Sequence, residues 1–243
     1  MTAFNHQEFD IRFEWGEHGV AELSLISDAV IIVDVLCFTT CVDIAVSRGA
    51  TIFPYRGPAD KLPKYAASVG AEWAGRKRNA STYTLSPTSL LNIPPGTRLV
   101  LPSPNGSTLT LAAKPTPVLA GCLRNARAVA QAASRFGRKI AVIAAGERWR
   151  TDRSLRPAFE DFLSAGAIIH HLDGRLSPEA MSAATLFRGL QSEMDGYLKQ
   201  CSSGKELIEG GFEQDVILAS QLNVSACAPV LVDGVYGRAE PDG

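Results

Sequence analysis

Ala29-Val30-Ile31-Ile32-Val33-Asp34-Val35-Leu36-Cys37-Phe38-Thr39-Thr40 decides how this chain of 243 residues is read. Five of its first seven residues are β-branched and apolar, the composition of a strand covered on both faces. Asp34 falls where that strand runs out, and two threonines follow at the start of a helix. A carboxylate past the carboxyl end of a buried strand suits metal or phosphate binding in an open α/β sheet. It equally suits capping of the next helix. Position alone leaves both roles open.

Working outward, a β-α-β-α rhythm is expected. A helix is predicted from about Phe38 to Arg48, stopped by Gly49, then a strand over Thr51 to Tyr55 and a helix near Pro58 to Val69. Upstream, residues 9 to 25 alternate apolar with polar and predict an edge strand with a hairpin through Gly16 to Gly19. Gly70 to Pro95 reads as a long surface loop with a cationic run at Arg76-Lys77-Arg78, a solvated charge run or a ligand loop.

Further strands are expected at Arg98 to Ser103, Val118 to Gly121 and Lys139 to Ala145. They run into Pro104-Asn105-Gly106-Ser107, Cys122-Leu123-Arg124-Asn125 and Gly146-Glu147. Helices are expected over Arg127 to Phe136, Pro157 to Leu172, Ser177 to Cys201, Ser203 to Glu209 and Glu213 to Leu222. A short strand or hairpin at Val230 to Tyr236 follows. The pattern predicts a three-layer α/β/α fold with a largely parallel or mixed sheet. No repeat or linker divides the chain, so residues 1–243 read as a single domain.

Bulk composition narrows the partner. A formal net charge of −1 gives no global field toward nucleic acid or an anionic membrane, so neither is expected as a partner. The expected ligand is small. No apolar run reaches the roughly 18 residues of a span, and the amino terminus lacks a leader pattern, so a cytoplasmic location is expected. Five cysteines without Cys-x-x-Cys spacing argue against a disulfide framework or a structural zinc site.

If the strands are parallel, Asp34, Asn105, Asn125 and Glu147 share one sheet edge with Glu160 and Asp161 at the start of the next helix. Asp34 with Glu160 or Asp161 would suit magnesium, a hard cation that takes one or two carboxylates and keeps waters. Asn105, Asn125, Gly106 and Ser107 would bind phosphate oxygens. The cluster Arg148, Arg150, Arg153 and Arg156 would clamp an anion. The macrodipole of the helix that follows accounts equally well for Glu160 and Asp161.

With these motifs in order, Val33-Asp34-Val35-Leu36 with Thr39-Thr40, Ser86-Pro87, Pro104-Asn105-Gly106-Ser107, Asn125-Ala126, Ala145-Gly146, Glu160-Asp161 with Ala165-Gly166, and Ser203-Gly204-Lys205-Glu206-Leu207 with Asp215, the chain resembles the 2-phosphosulfolactate phosphatase family. The resemblance runs over roughly residues 30 to 235. It implies a three-layer α/β/α fold and magnesium-dependent hydrolysis of a phosphate monoester on a small, anionic, sulfonated hydroxy acid, in chemistry associated with coenzyme M biosynthesis. Mapped onto this chain, Asp34, Asn105, Asn125 and Glu160 are the expected catalytic residues. Thr39, Thr40, Gly106, Ser107, Arg148 and Arg150 are expected to bind substrate, and Asp34, Glu160 and Asp161 to hold magnesium.

One departure lies inside the opening stretch. Family members usually carry arginine where this chain has Cys37, and a thiol does not replace a guanidinium fork. An alternative expectation is therefore a non-catalytic or redirected small-anion-binding protein on the same scaffold. A cysteine-phosphatase nucleophile is disfavoured because Asp43 stands where such a loop places its arginine. A thiol redox role for Cys37 and Cys41 is a further possibility, and a homodimer is the default assembly.

Overall fold

A computed structural model describes residues 6–75, 82–113 and 115–238. The cationic run at 76–78 lies outside them. In chain order the first elements are β1 (Ile11–Trp15), α1 (Gly16–Leu23), β2 (Ala29–Val33), α2 (Phe38–Ser47), β3 (Thr51–Tyr55) and α3 (Leu62–Ser68). Next come β4 (Glu72–Trp73), β5 (Arg98–Pro102), α4 (Gly106–Ala112), β6 (Val118–Gly121), α5 (Ala126–Ala133) and β7 (Ile140–Ala144). The small ribbon β8 (Glu147–Arg148) and β9 (Leu155–Arg156) leads to α6 (Phe159–Ile169), α7 (Pro178–Leu190), α8 (Met194–Gln200), α9 (Ser202–Glu209) and α10 (Glu213–Ser220). The hairpin β10 (Pro229–Val232) and β11 (Val235–Arg238) closes the described chain.

Two expectations about local structure are corrected. The predicted hairpin through Gly16 to Gly19 is instead helix α1. Gly16, at φ 59°, turns the chain, and Gly19, Val20 and Leu23 then fall on one buried helical stripe. The edge position of β1 is correct, but its alternation misleads. Arg12 is fully buried, and its Nη2 donates to Ile26 O at 3.1 Å and Ser27 Oγ at 2.9 Å. The single long helix expected from Ser177 to Cys201 is two, α7 and α8, separated by a turn at 191–193, and α8 buries Met194 and Leu198. Ser177 caps α7 through Ala180 N, with Pro178 at its first position.

Among the described residues nine strands form one sheet, in the order β1-β7-β2-β6-β10-β11-β3-β5-β4. The first four are mutually parallel, with β2 central, and β3, β5 and β4 form a second parallel group. Between them the β10–β11 hairpin pairs antiparallel on both sides, so the ladder polarity of β3 and β5 is reversed relative to β2. The sheet is therefore mixed. Adjacent strands turn by about 20–25°, so the five steps from β2 to β5 rotate the strand direction by roughly 100°. Across such an angle, ladder polarity alone does not separate the ends of β5 and β2.

Helices cover both faces. On one side Ile31, Val33 and Val142 pack on α5, α6 and α7, and on the other Val30, Ile32 and Ile143 pack on α1, α2 and α4. This is the expected α/β/α layering. Helices α6 and α7 approach so closely that a Cβ on Gly166 would lie 2.1 Å from the Ala183 carbonyl oxygen. Gly166→Ala would gain about 1 kcal/mol of helix propensity. Overpacking against a backbone atom typically costs about 1–3 kcal/mol or more, and a backbone oxygen cannot rotate aside as a side chain can. Net destabilisation of about 1–2 kcal/mol is expected, read as a lower urea midpoint at unchanged slope.

Candidate active site

The turn after β2 is built by the two threonines of the opening stretch. Thr39 N donates to Asp34 O at 2.8 Å, and Asp34 N donates to Thr39 Oγ1 at 3.1 Å. Thr40 Oγ1 donates to Val35 O at 2.8 Å. Both hydroxyls are fully buried and spent on the backbone, so they aim Asp34. From there the Asp34 carboxylate meets the turn after β5: its Oδ2 accepts from Gly106 N at 2.7 Å and from Ser103 Oγ at 3.2 Å. Glycine is required at 106 by proximity, since a Cβ there would sit 2.6 Å from Asp34 Oδ2 and 2.2 Å from the Phe38 ring.

A third strand end closes the cluster. Asn105 Nδ2 donates to Glu147 Oε1 at 2.8 Å, bringing the turn after β7 against the turn after β5. In the first turn of α6, Asp161 accepts from Val35 N through Oδ1 and from Gly146 N through Oδ2, both at 2.9 Å. One carboxylate thus pins the ends of β2 and β7 at a set separation. Glu160, also buried, lies beside it and faces the Cys201 thiol, whose pKa is pushed up to about 12 chiefly by burial and next by the Glu160 charge.

The electrostatics follow from packing carboxylates together out of water. Burial raises the Asp34 pKa to about 6; the Gly106 N–H opposes that rise, and the Glu147 charge adds to it. Asp161 is raised well above the usual carboxylate range, first by burial and then by Asp34 and Glu160. Such clustering of shifted groups at strand ends is typical of functional sites.

Asp34, Asn105, Gly106 and Asp161 therefore converge, with Glu160 alongside. Other expected residues are placed elsewhere or spent on the framework. Ser107 Oγ donates to Leu101 O at 3.0 Å and is fully buried. The Asn125 amide accepts from Cys122 N at 2.9 Å and donates to Ala120 O at 3.1 Å, bracing the end of β6. Arg148 pairs with Glu17 at 2.6 Å and Arg150 with Glu206 at 3.0 Å. Ser103 escaped notice because nothing local marks it apart from the Ser-Pro-Asn-Gly turn it begins. Glu147, marked only by its strand-end position, gains its significance from the bond to Asn105.

Residues 18–234 match the family described as 2-phosphosulpholactate phosphatase. The chain belongs to the 2-phosphosulfolactate phosphatase family. Among its relatives, the protein of Methanothermobacter thermautotrophicus named 2-phosphosulfolactate phosphatase is 34% identical over 139 residues, 57% of this chain and 58% of the relative. A protein of Carboxydothermus hydrogenoformans, named a probable 2-phosphosulfolactate phosphatase, is 30% identical over 83% of this chain and 85% of its own length. One from Pseudothermotoga lettingae with the same name is 24% identical over 87% and 92%. The named activity of the family is that of a phosphoric monoester hydrolase.

Cys37, where the resemblance leads one to expect an arginine, is only 2% exposed, packed in the core with Phe38, Cys41 and Val42. Cys41 is fully buried as well, so neither thiol is presented for redox chemistry at the surface. Asp43 accepts from Arg124 Nε at 3.0 Å and from Ser225 Oγ at 2.6 Å, a buried tie between α2 and the chain after α10.

The donor atoms suit a hard cation. Among the described residues no three of His, Cys, Asp and Glu are grouped to hold an ion unaided. Magnesium needs only one or two carboxylates and retains several waters, and Asp34 and Glu147, whose charge acts on Asp34, offer oxygen donors of that kind. No helix among the described residues is long and apolar enough to cross a membrane.

Proposed function

We propose that this protein is a magnesium-dependent phosphomonoesterase acting on a small phosphorylated hydroxy acid, with 2-phosphosulfolactate, the substrate in its relatives' names, as the first candidate. The observation that carries this reading is the junction at Asp34. A buried carboxylate, held by Gly106 N and Ser103 Oγ, stands where three strand ends meet in a chain belonging to a phosphatase family.

Magnesium, when held by Asp34 with Glu147 or Glu160, would polarise a phosphoryl oxygen and offset the negative charge of the substrate. The protein's own residues do the rest. Asp34, aimed by Thr39 and Gly106, addresses the phosphate group. Gly106 and Ser103 carry polar hydrogens that meet Asp34, and the bond to Glu147 sets the orientation of the neighbouring Asn105 amide. Asp161 keeps the ends of β2 and β7 from separating, which preserves the alignment on which most of such a rate advantage depends.

Phosphate release from 2-phosphosulfolactate and from 2-phospholactate, with and without magnesium, tests the reading. Turnover that vanishes with a chelator and returns with magnesium is the expected result. No phosphate release from either compound at any magnesium concentration removes the enzyme reading and leaves a small-anion-binding protein.

A further inference from the structure

A cavity of about 540 Å³ lies beside the Asp34 junction and shares Ser103 with it. Ser103 links the two. Its hydroxyl donates to Asp34 Oδ2 at 3.2 Å, and its backbone N–H donates across the β3–β5 ladder to Tyr55 O at 3.4 Å. Arg56 follows Tyr55 directly, and both line the cavity. Paired strands stand roughly 5 Å apart, so Arg56 begins about one strand spacing from the residue that touches Asp34.

The remaining wall is mostly apolar, formed by Pro58, Leu62, Leu85 and Pro102 among others. Against it Arg56 is exposed and, among the described residues, paired with no carboxylate. The cations expected to clamp an anion, Arg148 and Arg150, are engaged by Glu17 and Glu206. Cys37, the position at which an arginine is expected, is buried and uncharged.

We infer that Arg56 is the specificity-determining cation of this site, receiving the second anionic group of a phosphorylated hydroxy acid while the apolar wall takes its short carbon chain. The inference rests on the phosphatase reading for the position of the phosphate, at Asp34. A guanidinium fork matches the paired oxygens of a carboxylate or sulfonate, and a charged hydrogen bond of this kind is worth roughly tenfold or more in affinity. Arg56 takes no part in bond breaking, so its contribution is selective. It favours substrates carrying a second negative charge within a few atoms of the phosphate.

The test compares Arg56→Ala and Arg56→Lys with the parent on two phosphate esters: 2-phospholactate, which has a second anion, and p-nitrophenyl phosphate, which has none. Arg56→Ala is expected to lose about tenfold or more in kcat/KM on 2-phospholactate, through KM, with partial recovery in Arg56→Lys. On p-nitrophenyl phosphate it should stay within about twofold of the parent. Equal losses on both esters, or none on 2-phospholactate, overturn the inference. Should the parent turn over neither ester, calorimetric binding of 2-phospholactate decides this inference separately from the phosphatase reading, which turnover of 2-phosphosulfolactate still tests. A dissociation constant weakened about tenfold in Arg56→Ala sustains it; an unchanged constant, or no binding to the parent, overturns it.

Discussion

Asp34→Asn is expected to give a protein that releases no phosphate yet unfolds later than the parent at pH 7 in a chelator-containing buffer. The sign follows from the direction of the pKa shift. The Asp34 pKa is raised from 3.8 to about 6 by burial, so the folded state holds its proton more tightly than the unfolded chain does. Its contribution favours folding below the unfolded pKa. That advantage is lost as pH rises from about 4 to about 6, and above that the ionised carboxylate opposes folding. A shift of that size corresponds to about 3 kcal/mol.

Asparagine keeps an oxygen for the Gly106 N–H and removes the charge. A charge-assisted bond is weakened in exchange, at roughly 1 kcal/mol, so a net gain of about 2 kcal/mol is expected at neutral pH. The gain should shrink toward zero or reverse near pH 4, where the folded parent's Asp34 is protonated and the unfolded chain's is protonated in large part. Paired urea titrations at pH 4 and pH 7 measure this. A variant no more stable than the parent at pH 7 would show that burial of Asp34 costs less than its surroundings imply, and retained turnover would remove Asp34 from the chemistry. Loss of activity coupled to gain of stability is the signature of a charge kept for function.

Gly106→Ala tests the other half of the junction and should be costly on both counts. Gly106 has no need of a left-handed backbone. What excludes a side chain is that Cβ would lie 2.2 Å from the Phe38 ring and 2.6 Å from Asp34 Oδ2. Phe38 has nowhere to go: it is fully buried, its ring meets Tyr236 edge-on at 6.4 Å, and Tyr236 OH shares a 2.9 Å hydrogen bond with Thr110. The start of α4 must therefore shift and lengthen the 2.7 Å bond from Gly106 N to Asp34. Destabilisation of about 2–4 kcal/mol is expected, or a Tm lower by roughly 5–15 °C. Activity should fall by about a hundredfold, because displacement of the order of 1 Å at a reacting group has that effect. A melting temperature within about 2 °C of the parent, with a rate within twofold, would contradict the close packing described here.

Local pattern carried much of the architecture because the central strands are covered on both faces. Ala29 to Val33 and Ile140 to Ala144 read as continuous apolar runs, and no helix of that length competes for them. Helix starts with a side-chain signal, as at Ser177-Pro178, were equally legible. Alternation failed at residues 9 to 15. It assumes that one face of an edge strand meets water, whereas Arg12 is buried through bonds to Ile26 and Ser27 that are distant in sequence. The break between α7 and α8, Gln191-Ser192-Glu193, holds no glycine or proline itself, while Gly189 and Gly196 lie inside the flanking helices.

The site divides along the same line. Read alone, the sequence determined that Asp34 ends a buried strand, that a threonine pair follows it, and that Asn105-Gly106 ends another strand. These depend on a few neighbouring residues and on the periodicity of a two-sided sheet. Only the tertiary structure decided which strand ends meet. The β10–β11 hairpin inserts between β6 and β3, and the accumulated twist of the sheet brings Ser103 and Gly106 onto Asp34 and leaves Arg56 at the cavity wall beside them. It also tied Thr39, Thr40, Ser107 and Asn125 each to a backbone partner within six residues. Register between distant strands is a property of the whole sheet, carried by no short stretch of chain, which is why the opening run pointed to Asp34 but could not name its partners.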